Sequence, residues 1–487
     1  MYNIFIFRRD LRLYDNSGLI EYLNRGLNNI IPIFIFTPEQ IDQDKNEYYS
    51  NNSVQFMIES LNELNNELNK DFKKKIYTFY GDNIDILKNI CDVLNIKNIL
   101  FNKDYTKYAI DRDNSIKIFC NNRNISYIET EDYLLAPIKT FNKIKNTDNY
   151  YSVYTPFKNN LINNKKLILP INTTTVQNIK NLIVTIPNKD VNNLKLIFNN
   201  TYDYLKVMLN NLKKNKNNDI IYLGGRINGL DMLNKIKNQK GDNYDINRND
   251  ISKSTTLLSA YIKFGCISIR EVYFEVLKHI TSEQKKEVYS ISLINQIIWR
   301  EFYYYVGYYH LYIYKYPYNK KYNNIQWSVN KNWFIKWCNG VTGYPIVDAC
   351  MRELNTTGYM HNRGRLISSS FIRLLNIDWK IAEKYFATKL VDYDPIINNL
   401  NWQNQMGTGT GRRPVIQQIL NPELQSKKFD PSCGYIKKWI PSVKDINNKH
   451  LHNWSIYYKE YDLQEINYCA PILDYKIQRE KNIQLYI

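Results

Sequence analysis

Polar and aromatic residues set into apolar helical patterns are where this chain can do chemistry. From Thr342 to Phe371 the sequence reads TGYPIVDACMRELNTTGYMHNRGRLISSSF, with Arg352, Asn362, Arg363 and Arg365 among apolar residues at helical spacing. Polar groups carried toward an interior need partners there. A second cluster, Asp392, Asp394, Asn398, Asn399 and Trp402, falls on the start of another helix in VDYDPIINNLNWQ (391–403). Two such clusters facing each other would form a pocket of fixed hydrogen-bonding geometry. In LINQIIWREFYYY (293–305), Gln296, Trp299 and Arg300 share one helical face, and Asn362 shares another with Leu366. Alone, Trp299 reads as a core tryptophan; beside Gln296, Arg300 and a basic rim it reads as a base-stacking platform. SKSTTLLSAYIKFGCIS (252–268) offers hydroxyls at what is expected to be a helix start, through Ser254, Thr255 and Thr256. Such a start either holds an anion or is plain capping.

Other chemistries lack their residues. There is no G-x-S-x-G, no phosphate loop with its Lys-Ser/Thr sequel, no G-x-G-x-x-G and no histidine pair at metal spacing, so no metal site is expected. The GTGTG run (Gly407–Gly411) is expected to be a flexible turn, and Arg412 and Arg413 after it are candidates for phosphate contact. Tryptophan, hydroxyl and amide groups remain, a set suited to holding a cofactor that brings its own reactivity.

Elements of two kinds must position these residues. Short apolar runs at 3–7, 30–36, 76–80, 99–101 and 126–128 read as buried strands, with amphipathic helices at about 16–26, 53–70, 83–94 and 106–122 between them. Alternation of this kind means an α/β N-terminal domain with a parallel, Rossmann-like sheet over 1–135. The charged turn Arg8–Asn16 at the first strand's carboxyl end is either a ligand edge or a salt-bridged structural turn. Residues 136–205 are expected to connect the domains over the surface. Residues 206–487 read as all-helical, with little pattern after about 445.

Composition bounds the rest. At 487 residues the chain exceeds one core. Lys plus Arg is 65 against 47 acidic residues, a net charge of +18, which points to a polyanion such as nucleic acid. The 42 tyrosines, with abundant Asn, Ile and Lys, also suggest an A+T-rich genome, which tempers that argument. Seven scattered cysteines without a C-x-x-C pair suggest a reducing compartment. No signal peptide or membrane-length apolar run is seen, so an intracellular, soluble protein of cytoplasm or nucleus is expected.

Taken together, these residues resemble the photolyase/cryptochrome family over nearly the whole chain. The resemblance is carried by FRRDLRLYDN (7–16), YTPF (154–157), TTLLSAYIKFGCIS (255–268), IIWREFY (297–303), TGYPIVDACMREL, MHNRGR (360–365), VDYD…NNLNW and NPELQSKKFDP (421–431). It is closest to cyclobutane pyrimidine dimer photolyases of class I. The resemblance implies an α/β antenna domain followed by an all-α FAD-binding domain. It implies FAD held by Tyr244, Thr255, Thr256, Leu257, Leu258 and Ser259, with Gln296, Arg300 and Asp394, and an Arg365–Asp392 ion pair beside the ring. It places Asn398 nearest flavin N5, and Trp402, Trp379 and Trp327 on an electron path to the surface. The implied reaction is light-driven repair of UV-damaged DNA, in which reduced FAD gives an electron to a flipped-out dimer and later regains it. Members of this family are base-flipping enzymes. Trp299 would stack on the lesion, with Arg248, Asn362, Arg363, Leu366 and Asn404 lining its pocket and strand.

Three positions depart from the family pattern. Gln296 replaces a Glu, Asn404 replaces a second lesion-pocket Trp, and Leu366 replaces a Met. The (6-4) photolyases share the Gln but rely on His at the positions of Asn362 and Leu366, so dimer repair is expected. A cryptochrome-type photoreceptor, or repair of a different lesion, is the alternative. Tyr108-Ala109 stands where folate-binding members carry Asn-Glu, so a second chromophore, if there is one, is expected to be a deazaflavin or flavin. A monomer without an obligate protein partner is expected.

Overall fold

Five runs of β-branched and aromatic residues pair into one parallel sheet. They are β1 (Tyr2–Phe7), β2 (Ile30–Phe36), β3 (Tyr77–Tyr80), β4 (Ile96–Asn102) and β5 (Ser126–Thr130), in the order β3-β2-β1-β4-β5. All seven residues of β2 are buried, as in a sheet covered on both faces. Helices α1 (Ser17–Asn24), α2 (Asn51–Phe72), α3 (Asn83–Val93) and α4 (Lys107–Asn122) connect the strands. Side chains of Asn16, Ser50, Asp82 and Thr106 accept from the first free N–H groups of these helices, which fixes where each begins.

The computed structural model describes residues 1–142, 150–163, 168–169, 171–172, 176–238, 244, 247–278, 291–328, 330–411 and 419–486. The chain divides into two compact units. The first comprises Met1–Asn218, Tyr222–Gly241 and Leu258–Leu311; the second comprises Asp219–Ile221, Asp242–Leu257 and Tyr312–Ile487. These units are cut differently from the expected boundaries at 135 and 205, because several helices remain with the sheet.

In the first unit the stretch 136–205 does not simply run over the surface as expected. Its helices α5 (Tyr154–Asn163), Val176–Leu182 and Asn188–Phe198 bury Phe157, Leu161, Ile179 and Leu194. Val184 N–H donates to Ile30 O at the start of β2 (2.9 Å). Apolar anchors spaced among Asn and Lys gave too weak a period to show this. The charged turn after β1 is structural at its centre. Arg12 and Arg270 both reach Asp132, at 2.7 and 2.9 Å, and Arg270 also reaches Asp15 at 2.9 Å. Burial opposes ionisation of Asp132, but the two guanidiniums hold its carboxyl well below the usual range. Gly265 permits the close approach: at φ +64° a Cβ there would lie 2.2 Å from Arg9 O. The helix α6 (Ser292–Tyr309) completes this unit's share of the candidate residues.

The second unit is helical. Its core is built by α7 (Lys331–Asn339), α8 (Pro345–Thr357), α9 (Asn362–Leu374), α10 (Trp379–Lys389) and α11 (Pro395–Met406) around Trp337, Met351, Phe371, Trp379, Phe386 and Trp402. The tail after 445 has more order than its sequence pattern suggested. Helices Asn448–Leu451, Trp454–Tyr457 and Tyr475–Gln484 form, and Trp454 is fully buried. One buried residue anchors each of these short pieces, Leu451, Trp454 and Asn482 in turn, and periodicity cannot register an anchor that occurs once. Among the described residues no helix is long and apolar enough to cross a membrane. No group of three His, Cys, Asp or Glu among them could hold a metal ion.

Candidate cofactor and lesion site

The polar cluster of the second unit is organised by two helix starts. At the first, the imidazole of His361 caps α9, its Nδ1 accepting from Arg363 N–H at 3.0 Å. Burial pushes the His361 pKa down to about 4, so the ring stays neutral and keeps an acceptor. One turn on, Arg365 donates to both oxygens of Asp392, at 3.0 and 2.8 Å, and its Nε donates to Met360 O at 2.9 Å. The pair is half open on one side only: the arginine side chain is 27% exposed and the aspartate 4%.

At the second helix start, Asp394 caps α11 by accepting from the N–H groups of Ile396 (3.1 Å) and Ile397 (3.0 Å). Pro395 occupies the first turn, where its missing N–H costs nothing. This start fixes Asn398 and Trp402 one turn apart on α11. The Asn398 amide donates to Glu383 Oε1 on α10 at 2.9 Å, which leaves the carboxamide oxygen as an acceptor. Glu383 is 3% exposed, and burial pushes its pKa up to about 7 despite bonds from Asn398 and Tyr393. Replacing Glu383 by Gln should therefore stabilise the protein progressively as pH rises from about 4.5 to 7. Below that window the wild-type carboxyl is protonated in both states and costs nothing; above it a buried charge is carried. Denaturant melts of the two proteins at pH 5 and pH 8 measure this. Equal differences at both values would show that Glu383 is not buried as a charge.

The tryptophans lie in or against one apolar core. Trp402 (3% exposed) and Trp379 (1%) are inside it, and Trp327 packs against it. The ring neighbours of Trp402 are Phe386, at 5.0 Å and 84°, and Trp337, at 6.3 Å and 76°. Trp337 was not singled out from sequence; its signal, a Trp on an amphipathic helix, is that of any core residue.

In the first unit, α6 carries Gln296, Trp299 and Arg300, all half-buried. Arg300 Nη1 pairs with buried Glu301 Oε1 at 2.8 Å and lies over the Tyr304 ring at 4.8 Å. Tyr154 of α5 stacks on Trp299, a contact the sequence did not announce.

These units match known proteins in the same order. Residues 3–174 match the family described as DNA photolyase, and residues 293–487 match that described as the FAD binding domain of DNA photolyase. A deoxyribodipyrimidine photo-lyase of Buchnera aphidicola (strain APS) is 30% identical, covering 99% of this chain and 96% of that protein. The chain belongs to the DNA photolyase family. The deoxyribodipyrimidine photo-lyase of Escherichia coli K12 is 27% identical, covering 99% of this chain and 97% of that protein. An archaeal photolyase from Sulfolobus tokodaii, solved with two FAD molecules, superposes with a TM-score of 0.81 at 32% identity, covering 100% of this chain and 99% of that one. A Synechocystis cryptochrome shares the fold at 22% identity, with a TM-score of 0.81 and 99% coverage of both chains.

Within this photolyase-family fold, several expected roles change. Ser254, Thr255 and Thr256 do not start a helix. The chain is non-helical over 254–258, with Leu257 at φ +51°, and the helix Ser259–Lys263 begins after Leu258 without a side-chain cap. A left-handed residue cannot continue a helix, so the hydroxyls sit on an open loop instead. Thr255 hydrogen-bonds the Tyr359 phenol, Leu258 is buried, and the exposed Ser259 hydroxyl lies 3.1 Å from Tyr222 Oη. Tyr244 and Arg248 are neighbours, the guanidinium 5.9 Å from the ring. Asn362, expected to turn inward, is exposed, and Leu366 is half-buried. Arg363 lies over Phe429 at 3.9 Å and donates to Asn249 Oδ1 at 3.0 Å; burial and then the nearby Arg248 lower its pKa. A guanidinium whose charge is disfavoured by burial and by a second guanidinium nearby is a fitting place for a phosphate.

Asn404 is committed to a turn rather than presented as a wall. Its Oδ1 accepts from Gly411 N–H at 3.2 Å and from Thr410 Oγ1 at 3.3 Å. Gly407–Gly411 is consequently anchored and not the flexible turn expected: Gly407 ends α11 at φ +75°, and Thr408 is fully buried. Arg412 and Arg413 lie outside the described residues. All seven cysteines are free thiols.

Proposed function

We propose that this protein is a FAD-dependent, light-driven deoxyribodipyrimidine photo-lyase that splits cyclobutane pyrimidine dimers in UV-damaged DNA. The single observation that carries the reading is the Asn398 carboxamide, whose N–H is held by Glu383 and whose oxygen is left as an acceptor, on the same helix as Trp402. That acceptor suits the N–H a reduced flavin ring presents. The donor set around it fits as well: Arg365, already balanced by Asp392, would neighbour the ring, and the open loop at Thr255–Leu257 would meet the phosphates.

Bound FAD supplies light absorption and the transferred electron by its own chemistry. The remaining work falls to the chain. Asn398 and Arg365 would orient the ring system, and Asp392 keeps the guanidinium from carrying an unbalanced charge. Trp402, Trp379 and Trp327 would refill an electron when the cofactor is oxidised. Trp299 would stack on the flipped dimer, while Arg248 and Arg363 would hold strand phosphates, giving salt-dependent affinity. Gln296 would hydrogen-bond the lesion without being able to act as an acid. Cysteines that are all free suit a reducing, intracellular setting, and action as a monomer on DNA completes the proposal.

The first unit also supports a second chromophore at the sheet's switch point between β1 and β4. Arg8 and Arg112 share one carboxylate, Asp113, at 2.7 and 2.9 Å. One nitrogen of each arginine and one oxygen of Asp113 are buried without a partner among the described residues. Tyr108 Oη lies 3.3 Å from Thr37 Oγ1 at the end of β2. Unmet donors beside an aromatic ring suit the carbonyl edge of a flavin or deazaflavin.

Blue-light repair of an oligonucleotide carrying one thymine dimer, using flavin-reduced protein and a dark control, tests the proposal. Light-dependent recovery of the thymines is expected. Intact dimers in the light, with bound reduced FAD verified, would reassign the protein to another lesion or to photoreception. Counting flavin per chain after incubation with excess FAD tests the second site, where two are expected.

A further inference from the structure

Trp299 has one face covered. Tyr154, at the start of α5, lies on the indole with ring centroids 3.6 Å apart and planes 5° from parallel. Phe302 meets Trp299 edge-on, at 5.8 Å and 77°, and Tyr303 is tilted, at 5.5 Å and 48°, so neither lies flat on it. The indole nevertheless remains half-buried rather than buried. Among the described residues of the first unit, Tyr154 is the one ring stacked parallel on it, so the exposed share of the indole is aromatic surface that no parallel ring of this unit covers.

The geometry is imposed, not merely permitted. Two electron-rich rings almost eclipsed at this distance are not the arrangement that their quadrupoles favour. The anchors lie around Tyr154. Its phenolic proton is shared between the backbone carbonyl of Asn295 (3.4 Å) and that residue's side-chain oxygen (3.2 Å). Lys158 Nζ, one turn further along α5, donates to the same side-chain oxygen at 2.7 Å. Phe157, also on α5, is fully buried and packs on Phe302 of α6 at 5.4 Å. Both helices therefore hold the tyrosine ring flat against the indole from points on either side.

We infer that Tyr154 is a positioning residue for lesion recognition: it backs the indole of Trp299, fixes its plane, and leaves a single face on which a flipped-out pyrimidine dimer stacks. This rests on the reading of Trp299 as the stacking platform. A ring already locked loses little freedom when a base arrives, whereas an unbacked indole must be ordered at that moment. A platform with one face filled also gives the bound dimer one orientation in place of two. Neither effect bears on undamaged duplex, whose bases remain in their own stack. The consequence is selective: Tyr154 raises affinity for the lesion without raising affinity for DNA in general.

The test uses the full-length, FAD-loaded protein and two oligonucleotides, identical except for one thymine dimer. Tyr154→Leu removes the flat face; Tyr154→Met fills the same space with a flexible chain and serves if the leucine variant folds poorly. Either is expected to weaken binding of the dimer oligonucleotide roughly three- to tenfold while leaving undamaged DNA affinity and flavin content unchanged. Tyr154→Phe keeps the ring and should restore most of the lost affinity. Trp299→Ala, in parallel, should lose the dimer preference outright. Equal weakening for both oligonucleotides would make Tyr154 a structural residue only and overturn the inference. So would unchanged dimer affinity in Tyr154→Met when Trp299→Ala has lost it, and in that case the platform reading survives. Unchanged dimer affinity in Trp299→Ala would instead remove the platform, and the role of Tyr154 with it.

Discussion

Asp392→Ala should purify with about a tenth or less of the wild-type flavin and should unfold more easily by about 2–3 kcal/mol. The argument runs through Arg365. Its guanidinium is three-quarters removed from solvent and spends one nitrogen on both oxygens of a carboxylate that is almost fully buried. Deleting the carboxylate leaves a largely desolvated cation whose Nε bond to the Met360 carbonyl does not balance its charge. Breaking a buried pair costs more than the pair contributes, since the remaining charge keeps its desolvation penalty. The exposed part of Arg365 tempers the figure, because water screens it there. Asp392→Asn, which keeps a hydrogen-bond acceptor but not the charge, should fall between the two. Absorbance ratios of flavin to protein and thermal melts read both quantities. A full flavin complement in Asp392→Ala would show that the pair is not part of the cofactor's seat.

Trp402→Phe should slow photoreduction of bound oxidised flavin more than about tenfold, while chemically reduced protein repairs normally, because phenylalanine gives up an electron far less readily. The substitution is gentle on packing: Phe386 and Trp337 already surround the position with aromatic rings. The onward route is the more informative question. The family resemblance leads from Trp402 to Trp379 and Trp327, and Trp379→Phe and Trp327→Phe should each slow photoreduction. Trp337, however, is the tryptophan in ring contact with Trp402, and it continues to Tyr385 at 5.8 Å. Bleaching of the oxidised flavin's blue absorption under steady light compares the variants. Loss in Trp337→Phe with none in Trp379→Phe would move the route to that branch; unchanged rates in Trp402→Phe would remove this cluster from photoreduction altogether.

Much of the architecture was legible because it is local. The strands follow from apolar runs too short for helices, and the helices between them follow from their amphipathic periods, with Asn16, Ser50, Asp82 and Thr106 found at their caps. The placement of Gln296, Trp299 and Arg300 along α6, and of Asn398 and Trp402 along α11, needed only the helical repeat. What failed shows the limit of such rules. Ser254-Thr255-Thr256 has good capping composition, yet one left-handed residue, Leu257, keeps it outside the helix. Nor does any local rule show that the carboxamide oxygen of Asn404, which stands in place of a stacking Trp, is taken up by Thr410 and Gly411.

By itself, then, the sequence determined the sheet and the helical remainder and nominated the residues proposed for the chemistry, since caps, periods and motifs act over a few positions. Tertiary structure alone decided which groups stand behind them: Glu383 beneath Asn398, Asp113 shared by Arg8 and Arg112, Trp337 against Trp402, and Tyr154 on Trp299. Except for Arg112, which adjoins Asp113 on α4, each of these partners lies on a different element from the residue it serves. No local rule links them, because their proximity is set by how whole helices pack and by which buried polar groups must then find one another.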